Sequence, residues 1–176
     1  FPKGTAEHTG HFLLLDQDTS LQLSFPANKG TVEVYIEKDI LSVLRQEIDY
    51  LKNYKHGCNE QTASKLMALL LDKEIKAQLG EKWEEEKLVG KCLRILAKNQ
   101  NGHGDWGWWN RSVGSDWVSR HVVKALLMAQ QNGYETPGLE NALRLLTSEI
   151  NTISQSRLLA NLRLLADAQQ NFPFQD

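Results

Sequence analysis

The sequence predicts a mainly α fold preceded by a short β segment, and three observations carry that prediction. Apolar residues alternate or cluster in short β-rich runs up to residue 36, then take up helical spacing from about residue 38 onward. Cap and turn residues fall between the helical stretches. Gln100, Gly104 and Trp106 follow the spacing Gln-x-x-x-Gly-x-Trp at the end of one of those stretches.

Residues 1–36 read as three strands, at 12–15, 21–25 and 31–36, broken by Asp16-Gln17-Asp18 and by the run from Pro26 to Gly30. The first helix carries its apolar stripe on Leu41, Leu44, Ile48 and Leu51. The second begins at residue 59 and runs through Leu66, Met67, Leu70 and Leu71. A third is expected over 83–98, with Glu81 and Glu84 to Glu86 on the side where acidic charge favours a helix start. A fourth spans 116–131. Thr136 as cap and Pro137 at the first helical position open a fifth through Leu139, Leu143, Leu146 and Ile150. Thr152 and Gln155 have capping-box spacing and open a sixth through Leu158, Leu162 and Leu165.

Charge and composition exclude several classes of function. A net charge of −2 and an isoelectric point near 6.2 leave no electrostatic footprint for nucleic acid or an anionic membrane. No apolar run approaches the length of a spanning helix, and the first residues lack a signal-peptide pattern, so the chain reads as an internal excerpt. Neither a cofactor motif nor a metal set emerges. His8 and His11 have His-x-x-His spacing without a third ligand in sequence reach. His103, between two glycines, reads as solvated, and His121, among Trp117, Val118, Val122 and Ala125, as a satisfied half-buried side chain. Cys92 lies on the apolar stripe of Leu88, Ile95 and Leu96 and reads as a core residue, unbridged to Cys58.

The pentapeptide Gly57-Cys58-Asn59-Glu60-Gln61 carries the chemistry. With a helix beginning at 59, Cys58 and Gln61 lie three apart at its entrance, where thiol and side-chain amide can meet on one face. Loss of ammonia would join the sulfur to the Gln61 acyl carbon as an internal thioester, an electrophile for any amine or hydroxyl admitted to it. Gly57 is expected to relax the backbone into the helix, and Glu60 equally suits a first-turn acid.

This motif resembles the thioester sequence of the alpha-2-macroglobulin and complement family. The wider run EIDYLKNYKHGCNEQTASKL is most similar to bacterial alpha-2-macroglobulin-like proteins, and the segment from Asn99 to Tyr134 is similar to the region downstream of that motif. The resemblance implies that residues 1–36 are the leading half of a split CUB-like sandwich. It implies that residues 37–176 are the first half of an α/α-toroid thioester domain of terpenoid-cyclase-like fold. The Gln100, Gly104 and Trp106 pattern, with Lys91 and Leu96, resembles the QW repeat of squalene and terpenoid cyclases, which staples a helix to the following turn. The Asp-x-Asp-Asp motif of those cyclases is missing from this sequence.

As the family implies it, the function is covalent protease trapping: an endopeptidase inhibitor, not an enzyme, with Cys58 as leaving group and Gln61 as acyl donor. Gly57, Asn59 and Glu60 shape the motif, and Trp106, Trp108, Trp109 and Trp117 are expected either to shield the thioester from water or to serve as core and staple. Partners are target proteases through their amines. The loop from Asn110 to Ser115 holds no histidine of the kind that redirects complement thioesters toward hydroxyls. Localisation is extracytoplasmic, periplasmic or cell-surface, with membrane association only through other parts of the parent. The alternatives are an α/α interaction domain without a formed thioester, and a cysteine hydrolase centred on Cys58 with His56 as its base. A half-toroid is further expected to self-associate, through residues 139–165 or through its strand edge.

Overall fold

The computed structural model describes residue 22, residues 40–54 and residues 57–169. The strands expected over 1–36 lie outside the described residues but for Gln22, as do His8, His11 and His56. The described residues form six helices: α1 (Ile40–Asn53), α2 (Asn59–Leu79), α3 (Glu86–Asn99), α4 (Asp116–Gln131), α5 (Leu139–Glu149) and α6 (Gln155–Asp167).

Helix α2 is the hub. It packs on α1, α3 and α4, and α4 in turn packs on α5 and α6. Its sequence explains the position, because apolar side chains surround it instead of forming one stripe. Leu66, Leu69 and Leu70 are fully buried against Val89 and Leu96 of α3 and Val122 and Leu126 of α4, in one continuous core. Ala68 and Ile75, turned the other way, pack with Ile48 of α1. The helix ends at Gly80, whose φ of 68° is left-handed. There the amide of Gly80 bonds Ala77 O and that of Glu81 bonds Lys76 O at 2.8 Å, a paired closure of the last carbonyls.

One buried charge cluster ties α1 to α2. Lys52 Nζ lies 3.1 Å from Asp72 Oδ2 and 3.1 Å from Glu85 Oε1, and Lys76 Nζ lies 3.2 Å from the same Asp72 oxygen. Burial disfavours the Lys52 ammonium, but the Asp72 and Glu85 carboxylates outweigh it and hold its pKa above the ordinary lysine value.

The long connection from α3 to α4 is stapled to the end of α3. The Trp106 indole is fully buried and its Nε1–H donates to Leu96 O at 2.7 Å, joining the Gln100 N–H on that carbonyl in the last turn of α3. Gln100 Nε2 donates to Gly104 O at 2.9 Å and to Gly138 O at 2.8 Å, reaching from the end of α3 to the start of α5.

Three helix boundaries depart from the sequence expectation. Helix α3 starts at Glu86, not at 83. Trp83 stays in the connection, where Lys73 Nζ sits 5.2 Å from its ring centre, so cation–π packing claims the indole. Helix α5 starts at Leu139 with Gly138 as its N-cap at φ 92°, two residues after the expected Thr136 cap. A side chain at 138 would place a Cβ 2.7 Å from Gln100 Oε1, so the staple sets this boundary. Thr152 does not form a capping box: its hydroxyl bonds Glu149 O at 3.1 Å and closes α5, while Ser154 caps α6. Leu139, Leu143, Leu146, Leu164 and Leu165 are buried within this one chain, and Leu159 is exposed.

Removing Asp72 leaves two ammonium groups facing a buried gap. We expect Asp72→Ala to cost about 3 kcal/mol of unfolding free energy, and Asp72→Leu combined with Lys52→Met to recover most of it. Denaturant titration of the three proteins checks both values.

Candidate functional site

Cys58 is the N-cap of α2, at φ −69° and ψ 165°. Its buried Sγ accepts a hydrogen bond from Gln61 N–H at 3.5 Å, taking the place of the hydroxyl or carboxylate usual at this position. Cys58 O accepts from both Thr62 N–H and Thr62 Oγ1 at 2.9 Å, which anchors the first turn. The spacing therefore brings Cys58 and Gln61 to the same turn. Gln61 Oε1 is buried and has no hydrogen-bond partner.

Asn59 explains why the turn sits where it does. Fully buried, it donates its backbone N–H to Trp108 O at 2.9 Å. Its Nδ2 donates to Gly107 O at 2.9 Å and Trp109 O at 3.2 Å. Its Oδ1 accepts from Asn99 Nδ2 at 2.7 Å. One side chain thus clasps the tryptophan-bearing loop and the end of α3 onto the start of α2. Space does not demand glycine at 57, since an added Cβ there would meet nothing within 4 Å.

The four tryptophans divide. Trp106 is a core residue, as described above. Trp108 and Trp117 stack with ring centres 5.6 Å apart, and Trp117 stacks on His121 at 5.6 Å with planes only 7° apart. These two indoles are about half exposed, and Trp109 is 63% exposed. His103 is exposed as well.

Two residues the sequence did not single out as partners join the site. Ser64 Oγ lies 3.0 Å from Glu60 Oε1 and 2.8 Å from His121 Nε2. His121 Nε2 lies 3.8 Å from the same Glu60 oxygen, and Cys58 Sγ lies 4.0 Å from Glu60 Oε2. The spacing of Glu60 and Ser64, i and i+4 on one helix face, was available as a signal; the approach of His121 from α4 was not. Cys58 and Cys92 are both unbridged and buried, and burial raises the Cys92 thiol's pKa. Among the described residues no group of three His, Cys, Asp or Glu side chains could hold a metal ion. No described helix is long and apolar enough to cross a membrane.

The structure defines a mainly helical domain with a Cys-x-x-Gln pair at the start of its hub helix. No protein-family model matches the chain. It is 29% identical over 133 residues to the alpha-2-macroglobulin of Ralstonia nicotianae, covering 64% of this chain. It is 23% identical over 124 residues to that of Thermotoga maritima, covering 70%. The chain spans 8% of the length of each of these relatives. The crystal structure of native Escherichia coli alpha-2-macroglobulin from domain MG7 to the C-terminus superposes with a TM-score of 0.62 at 25% identity, covering 74% of this chain and 24% of that one. The cryo-EM structure of the native E. coli protein shares the fold at a TM-score of 0.62 and 22% identity, over 74% of this chain and 10% of that one. In sequence and fold the chain is similar to a segment of bacterial alpha-2-macroglobulins.

Burial lowers the His121 pKa below its ordinary value, the Glu60 carboxylate opposing this and Lys124 reinforcing it. The unfolded chain therefore takes up the proton first as pH falls. The stability that neutral His121 contributes is complete above pH 6.5, the ordinary value, and is lost as pH falls toward the lower folded value. Thermal unfolding of the native protein should thus drop on acidification below about pH 6.5, and His121→Gln should flatten that limb.

Proposed function

We propose that this chain carries the covalent arm of a bacterial protease inhibitor: an internal thioester between Cys58 and Gln61 that acylates amines of an attacking protease. The observation that carries the reading is the capping geometry, in which the Cys58 sulfur accepts the Gln61 backbone N–H at 3.5 Å, so that both residues share one helical turn. Closing the bond joins Sγ to the Gln61 side-chain carbon and expels its nitrogen as ammonia. An incoming amine reverses the process, forming an amide at Gln61 and freeing the Cys58 thiol.

The surroundings favour a bond that persists until it is presented to its target. Gln61 Oε1 is buried, and no described protein group donates to it. The imidazole of His121 is engaged by Ser64, not by the Cys58 thiol; His56, the base of the hydrolase alternative, lies outside the described residues. Target proteases, an extracytoplasmic setting and completion of the helices into a toroid by further helical pairs belong to this same reading. They rest on the likeness to alpha-2-macroglobulins.

Intact mass of the full-length protein tests it. A closed thioester lowers the mass by about 17 Da, the ammonia lost, and methylamine then adds to Gln61 with release of one thiol. Cys58→Ala and Gln61→Ala should abolish both the mass deficit and covalent protease adducts, while lowering stability by about 1 kcal/mol or less. Adducts that persist in Cys58→Ala overturn the assignment.

A further inference from the structure

We propose that Glu60 is the proton carrier for closing and opening the Cys58–Gln61 bond, with Ser64 and His121 as its positioning residues. This rests on the thioester reading above and assigns the residues that would move its protons.

The geometry supplies a continuous path. The Cys58 thiol faces Glu60 Oε2 at 4.0 Å, the long end for a thiol donor, and such contacts tighten when a reacting group is present. The other carboxylate oxygen accepts from Ser64 Oγ at 3.0 Å. A serine hydroxyl has one proton, and Ser64 gives it to Glu60, so the contact of 2.8 Å to His121 must be a bond donated by Nε2–H. The stack on Trp117, 7° from coplanar, fixes the plane of the imidazole and hence the direction of that bond. Burial favours neutral His121, so the imidazole orders Ser64 without setting a full positive charge against the carboxylate.

The steps balance. In closing, the Cys58 proton passes to Glu60 Oε2 and the sulfur electron pair forms the bond to the Gln61 side-chain carbon. The carbon–nitrogen bond then breaks, and the nitrogen leaves as ammonia with the proton that Glu60 held. In opening, an amine attacks the same carbon and loses a proton to Glu60. The carbon–sulfur bond breaks with its electron pair on sulfur, and Glu60 returns the proton to give the Cys58 thiol. One carrier serves both directions, as reversibility requires. A purely structural role would need only a first-turn acid at 60, which the helix dipole favours but which requires neither Ser64 nor His121.

The test uses the full-length protein, with intact mass reporting closure and methylamine-driven thiol release reporting opening. Glu60→Gln should slow closure and methylamine release by about 100-fold with the fold retained. Ser64→Ala should slow release by about 10-fold, and Ser64→Thr, which keeps the hydroxyl, should restore it. Native closure and release rates in folded Glu60→Gln overturn the carrier and leave the thioester assignment standing. Where Glu60→Gln folds poorly, the Ser64 pair decides, and equal rates in Ser64→Ala and Ser64→Thr overturn the proposal. An unmodified protein with no mass deficit and no methylamine-released thiol overturns the thioester reading and this inference with it.

Discussion

The buried side chain of Asn59 sets the position of almost everything around it. Four polar groups meet there away from water: three loop carbonyls accept its N–H groups and Asn99 donates to its oxygen. Each group left unpaired in such a place costs about 1–3 kcal/mol, so the loop can adopt few other courses over the start of α2. Asn99 is the last residue of α3, and its own carbonyl accepts the amide of Arg111 at 3.2 Å, so the clasp closes on itself. The residue between Cys58 and Glu60 is thus the one that joins hub helix, loop and α3.

From that clasp the chemistry of the site follows. A helix start offers unsatisfied N–H groups and a partial positive charge, and here sulfur, not oxygen, receives one of those groups. Sulfur is the weaker acceptor, so this cap is held less tightly than one made by a hydroxyl or carboxylate. Meanwhile Glu60 turns one carboxylate oxygen to the sulfur and the other to Ser64. Within this first turn Asn59 is the residue held by bonds to other parts of the chain, while Cys58, Glu60 and Ser64 bond one another or the turn itself.

The hub arrangement gives this turn its rigidity. Helix α2 is enclosed on α1, α3 and α4, and its charged residue Asp72 is buried only because Lys52 and Lys76 meet it there. The Trp106 and Gln100 staples hold the long α3–α4 connection to the end of α3 and the start of α5. Trp106 is therefore unavailable as a cover for the sulfur, whereas Trp108, Trp109 and Trp117 keep exposed faces beside the site.

The sequence alone determined the helical periods, the placement of Cys58 and Gln61 on one turn, and the staple, because each depends on spacing within a short stretch of chain. Trp106 and Gln100 behave as their pattern implied, the indole bonding Leu96 O near the end of α3 and the amide bonding the carbonyls of Gly104 and Gly138. Helix starts were less legible. Trp83 and Thr136 carry acceptable local signals, yet Lys73 claims the indole and Gln100 claims the carbonyl at 138. Local propensity is worth less than those tertiary contacts. Only the tertiary structure decided which tryptophan is core and which are surface, that Asn59 is a clasp, and that His121 meets Ser64 across 57 residues of chain. Those pairings depend on how α2 and α4 lie against each other, and no spacing along the chain encodes that.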